Sequence, residues 1–162
     1  MDGKVTMRRL AVLAIPVVFL WASATGDPPG FAIWTASDLR AHRVQLQQRM
    51  GANKTASETL ADYGHYRTML AHREVSGGAE SHEKTADLFV VEEGEATLVV
   101  GGEIVDRKTT APGEVRGTDI RGGEQHPLGA GDMVHIPAGV PHQVLLEPGH
   151  GITYLVVKVE GR

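Results

Sequence analysis

The chain has 162 residues, a formal charge of −4 at pH 7, 41% apolar residues, 20 glycines, 8 prolines and no cysteine. That length suits one domain with one real core, and the glycine and proline content suits a turn-rich β protein better than a helix bundle. The missing cysteines exclude thiol catalysis, disulfides and thiolate metal sites, and the negative balance without a basic cluster beyond the N-terminus argues against a nucleic-acid partner.

The first segment reads as a targeting signal. Lys4, Arg8 and Arg9 precede an apolar run from Leu10 to Ala22, and Ala22-Ser23-Ala24 offers a small-x-small cleavage site. This is the layout of a secretory signal peptide over residues 1–24, which predicts a secreted or periplasmic protein. The run is shorter than the ~20 residues needed to span a bilayer, and Pro16 interrupts it. No stable membrane anchoring is therefore expected after cleavage; the alternative reading of the segment is an uncleaved membrane anchor.

Residues 25–65 read as a lead-in and a helical arm. Thr25 to Gly30 is a turn-rich, unstructured stretch. Ser37 is a plausible N-cap, with Asp38 favourable in the first turn. Leu39, Val44, Leu46 and Met50 would form the apolar stripe of a helix ending at Gly51. Such a stripe has no partner within its own segment. It is expected to pack on the outside of the main domain or on a second subunit, making a homodimer possible.

From Tyr66 onward the period changes from helical to alternating, which starts an all-β domain over residues 66–162. Tyr66, Thr68, Leu70 and His72 share one face of the first strand. A turn at Gly77-Gly78 leads to a strand with Glu80 and His82. Leu88 to Val91, a turn at Glu93-Gly94, and Ala96 to Val100 continue as a meander of short strands. Asp106 to Gly131 is long and polar, with one weak strand around Glu114 to Arg116, and is where a substrate lid or partner contact would lie. Met133 to Ile136, His142 to Leu146 and Ile152 to Val159 supply the closing strands.

Two stretches carry the chemistry. Glu80 and His82 are two apart and project from one face of a strand, and Asp87 opens the apolar run that follows. Further on, Gly131 to Ile136 runs into Pro137, turns through Ala138-Gly139 and re-enters a strand at His142. If a small barrel lays the two stretches side by side, Glu80, His82, Asp87 and His142 converge inside it. Two imidazoles and two carboxylates there suit a divalent transition metal.

These stretches resemble the two motifs of the cupin superfamily. The second motif matches at Gly131, Pro137, Gly139 and His142, and the first at His82, at Asp87 in place of a glutamate, and at Gly94. The first departs at Glu80, where the family usually has a histidine. The asparagine that usually follows the last histidine is also missing, with Leu145 and Leu146 in that stretch. The resemblance covers roughly Tyr66 to Val159. It implies a cupin-type antiparallel β-barrel, jelly-roll-like, binding Mn, Fe, Ni or Zn.

Three roles are open to Glu80. It completes a ligand set with His82, Asp87 and His142; it stands beside a two-His-one-carboxylate face as a catalytic acid or base with a raised pKa; or it pairs with Arg67, Arg73 or Arg116 in a metal-free cavity. His72, His126 and His135 lie near the motifs without matching a motif position, and His42, His65 and His150 read as surface residues. The resemblance admits two function classes. One is a metal-dependent enzyme of dioxygenase, decarboxylase, lyase or isomerase type acting on a small polar or carboxylic molecule. The other is a module that binds a small ligand or metal without turnover.

Overall fold

A computed structural model describes residues 27–161, so the signal-peptide segment lies outside the described residues. Among the described residues, the helix and all the strands fall within the compact unit Ala32–Arg162. Helix α1 spans Ala36–Arg49. Its N-cap is Thr35 rather than Ser37: the Thr35 hydroxyl accepts from the Asp38 backbone N–H while the Asp38 carboxylate accepts from the Thr35 N–H, a reciprocal capping box. Leu46 is its one buried residue. Val44, expected on the apolar stripe, is exposed at 43%, because it lies two positions from Leu46 and so points well away from it on a helix.

The strands are β1 (Thr55–Asp62), β2 (Tyr66–Arg73), β3 (Ala79–His82), β4 (Thr85–Val100), β5 (Glu103–Val105), β6 (Lys108–Ala111), β7 (Glu114–Gly117), β8 (Asp119–Arg121), β9 (Glu124–Gly129), β10 (Met133–Ile136), β11 (His142–Leu145) and β12 (Ile152–Glu160). Every pairing among them is antiparallel, in the order β1-β2-β12-β4-β11-β3-β7-β6, with β9 and β10 also on β4 and a separate β5-β8 pair. Helix α1 packs against β1 and β2, on the barrel's outside. No helix among the described residues is long and apolar enough to cross a membrane.

Strand β4 organises the barrel. Its first part pairs with β12 and β10, and its second with β11 and β9. The expected turn at Glu93-Gly94 is instead a kink within this one strand. Gly94 has φ +88°, a Cβ there would collide with the Gly151 carbonyl oxygen, and the β12 register slips beside it. Only glycine accepts both conditions. Alternation along β4 turns Asp87, Phe89 and Val91 inward. Phe89 and Val91 join Leu98, Leu128, Ile136, Val144, Ile152, Tyr154 and Val156 in the core.

Two further differences concern weakly patterned stretches. Strand β1 falls within the segment expected to be arm, and joins the sheet through β2. Asp106 to Gly131, expected to carry one weak strand around Glu114 to Arg116, holds that strand as β7 and also β6, β8 and β9.

Candidate metal centre

The barrel brings the four expected residues to one place. Glu80 and His82 come from β3, Asp87 from the start of β4, and His142 from the start of β11. His142 lies directly opposite Glu80 across the β11–β3 ladder, and cross-strand partners share a face. The Pro137–Val140 turn fixes this pairing. Val140 N–H donates to the Pro137 carbonyl at 3.2 Å, and Gly139 N–H donates to the His82 carbonyl at 2.7 Å. Gly139 sits at φ +81°, in the left-handed region that disfavours side chains.

The donor spacing is close to what one ion requires. Ligand atoms of Glu80, His82 and His142 all lie within 4.8 Å of one another. His82 Nε2 is 3.7 Å from Glu80 Oε2 and 3.3 Å from Asp87 Oδ2. His142 Nε2 is 3.5 Å from Glu80 Oε1 and 3.5 Å from Asp87 Oδ2. Donors bound at about 2.1 Å to one ion stand about 3.0–3.4 Å apart when they are octahedral or tetrahedral neighbours. Small side-chain adjustments would therefore suffice.

Both imidazoles are oriented by their outer nitrogens. His82 Nδ1–H donates to Glu114 Oε2 at 2.8 Å, and His142 Nδ1–H donates to the Val140 carbonyl at 3.1 Å. Each ring thus presents Nε2 to the centre, as metal-ligating histidines do. His142 Nε2 is buried with no hydrogen-bond partner. A buried polar atom left alone is costly and calls for an explanation, and a cation among these donors would supply one.

Three residues outside the expected ligand set complete the site. Glu114 and Arg116 lie opposite His82 and Glu80 across the β3–β7 ladder. Arg116 Nη2 is 3.3 Å from Glu80 Oε2 and 3.0 Å from Glu114 Oε2, so the Arg116 pairing considered for Glu80 is present alongside the imidazole contacts. Lys158 lies opposite Asp87 across the β12–β4 ladder. Its Nζ donates to Asp87 Oδ1 and Oδ2 at 2.8 and 3.0 Å and to His82 Nε2 at 2.9 Å.

Charge dominates the electrostatics. Burial works to raise the Glu80 pKa, but the attraction of His142 and Arg116 outweighs it and holds the group at about 2. This corrects the expectation of a raised value: cations surround the carboxylate and overcome its burial. Asp87 is likewise held well below the carboxylate range, against its burial, by His142 and Lys158. His142 is pushed up to about 9, since Asp87 and Glu80 overcome the burial that opposes its charge. At 3.5 Å these contacts act as charge attraction rather than hydrogen bonds.

The remaining histidines stay out of the centre. His72 is buried, but its Nδ1 lies 2.7 Å from Thr153 Oγ1 and its Nε2 3.4 Å from Gln47 Nε2 of the helix. His126, His135, His65 and His150 are exposed, and half-buried His42 bonds Glu58 at 2.6 Å.

Solved structures confirm the architecture. The chain resembles an uncharacterised conserved protein with a double-stranded β-helix domain from Klebsiella pneumoniae, at 14% identity over 80% of this chain and 90% of that one, with a TM-score of 0.55. It also resembles TT1209 from Thermus thermophilus, at 20% identity over 74% and 95% of the two chains and a TM-score of 0.53. KdgF from Halomonas sp. matches at 14% identity over 70% and 87%, with a TM-score of 0.50. No protein-family model matches the chain, and no curated protein matches it in sequence. The fold is an all-β double-stranded β-helix of cupin type, with one helix among the described residues.

Proposed function

We propose that this protein binds one divalent transition metal through Glu80, His82, Asp87 and His142 and acts on a small polar or carboxylic molecule at that ion. The observation that carries the reading is the buried, partnerless Nε2 of His142 among donors at near-ligand spacing. The ion would be Mn, Fe, Ni or Zn, since imidazole–carboxylate sets suit these. When bound it would supply Lewis-acid polarisation of a substrate oxygen. Glu80 stays ionised above a pH of about 2, which suits a ligand and makes it a poor proton donor. Glu114 fixes the His82 ring, and Arg116 holds both Glu80 and Glu114 in place.

The test is metal content after loading with each ion. Wild type should hold one equivalent, His82→Ala and His142→Ala should lose it, and exposed His150→Ala should keep it. If none of the four ions binds wild type, the metal reading falls. A second reading, a non-catalytic binding module, draws on Lys158 and Arg116, which already balance much of the negative charge of Glu80, Asp87 and Glu114. Bound small acids without turnover by the loaded protein would favour it. We further propose export, from the pattern of residues 1–24. The exported form should lack those residues by intact mass, and a full-length cytosolic product would contradict this.

A further inference from the structure

We propose that the Lys158 ammonium is a built-in competitor of the divalent ion, occupying the Asp87–His82 side of the centre and giving it up when metal enters. This competition presupposes the metal reading and concerns what sets the affinity of that site. Lys158 alternates with Tyr154 and Val156, both buried in the core, and faces Asp87 in register. Its side chain is only 16% exposed. The strand thus delivers a cation into the barrel, and the acceptors it meets there are Asp87 and His82.

The conflict with a metal comes from lone-pair counting. With its Nδ1 hydrogen given to Glu114, His82 has a single lone pair, on Nε2. That pair can accept the Lys158 N–H or bond an ion, but not both. Asp87 is different, because each carboxylate oxygen has two lone pairs. Lys158 can therefore keep one Asp87 oxygen while the other serves an ion, but it must release His82. Entry of the metal costs a charge-assisted hydrogen bond and sets a dication beside a poorly solvated ammonium. Both effects weaken binding relative to the same donors without the lysine.

Two measurements test this. Isothermal titration with Zn²⁺ should give Lys158→Met a Kd at least about tenfold lower than wild type, the scale of one lost charge-assisted hydrogen bond. Lys158→Arg, which keeps the cation, should not tighten binding. In unmutated protein, acetylation by an N-hydroxysuccinimide ester should be slow at Lys158 without metal and faster at saturating Zn²⁺, with Lys54 and Lys108 unchanged as internal references. If wild type binds Zn²⁺ but Lys158→Met binds no more tightly, or if Lys158 acetylation does not accelerate, the competition is refuted and the metal site stands. If neither protein binds Zn²⁺, Mn²⁺, Fe²⁺ or Ni²⁺, both fall together. The acetylation measurement decides the matter even if Lys158→Met fails to fold.

Discussion

The raised pKa of His142 makes metal-free stability fall as the solution becomes mildly alkaline. In the folded chain this imidazole titrates at about 9, against an ordinary value of 6.5. A group whose folded pKa is raised contributes stability that is fully present below its unfolded pKa and is lost as pH climbs through the folded one. The interval from 6.5 to about 9, at about 1.36 kcal/mol per pH unit, amounts to roughly 3 kcal/mol. The His142 side chain is 2% exposed, so solvent screening reduces this little. Against a typical total of about 5–15 kcal/mol the loss is large. Urea unfolding of chelator-treated protein should therefore show stability falling across the interval from 6.5 to about 9, and His142→Ala should remove most of that slope. The zinc-loaded protein should show no such fall over the same range, because the bound ion holds the ring neutral and the unfolded ring is also neutral above its ordinary value of 6.5. Metal-free midpoints that stay level or rise with pH would refute the charge balance assigned to the site.

Glu80→Gln should lose most bound metal while the fold persists, by elemental analysis and circular dichroism; retained metal with lost turnover would return Glu80 to an acid–base role. Glu114→Ala frees the outer nitrogen of His82 and should weaken metal binding about 10- to 100-fold by titration, the usual scale for such a supporting partner. Leu46→Ala should cost about 2–5 kcal/mol by denaturant unfolding, since Leu46 is the buried contact of α1; a negligible loss would mean the helix is only a tether.

The barrel and the four converging residues were legible because the relevant spacings are local. Gly131, Pro137, Gly139 and His142 lie within one strand–turn–strand unit, and Glu80, His82 and Asp87 lie within one strand and the start of the next. Lys158 was hidden because β12 is apolar on both faces: Leu155, Val157 and Val159 alternate with Tyr154, Val156 and Lys158. Nothing in that pattern says which face turns inward. Glu114 and Arg116 were readable as a weak strand, but their place beside β3 depends on a long-range register that no periodicity encodes. Strand β1, Thr-Ala-Ser-Glu-Thr-Leu-Ala-Asp, has few strongly β-forming residues, and pairing with β2 overrides that weakness. The raised pKa expected for Glu80 counted the neighbouring carboxylate and omitted the cations that the fold gathers around it.

The position of β12 bears on how the protein is made. It is the last of the described strands, yet it lies between β2 and β4 and hydrogen-bonds to both. During synthesis those two strands emerge long before the segment that joins them. Until it arrives, each has an unpaired edge, the kind of surface that recruits other chains. Closure of the barrel and delivery of Lys158 to the centre then become one event that waits on β12.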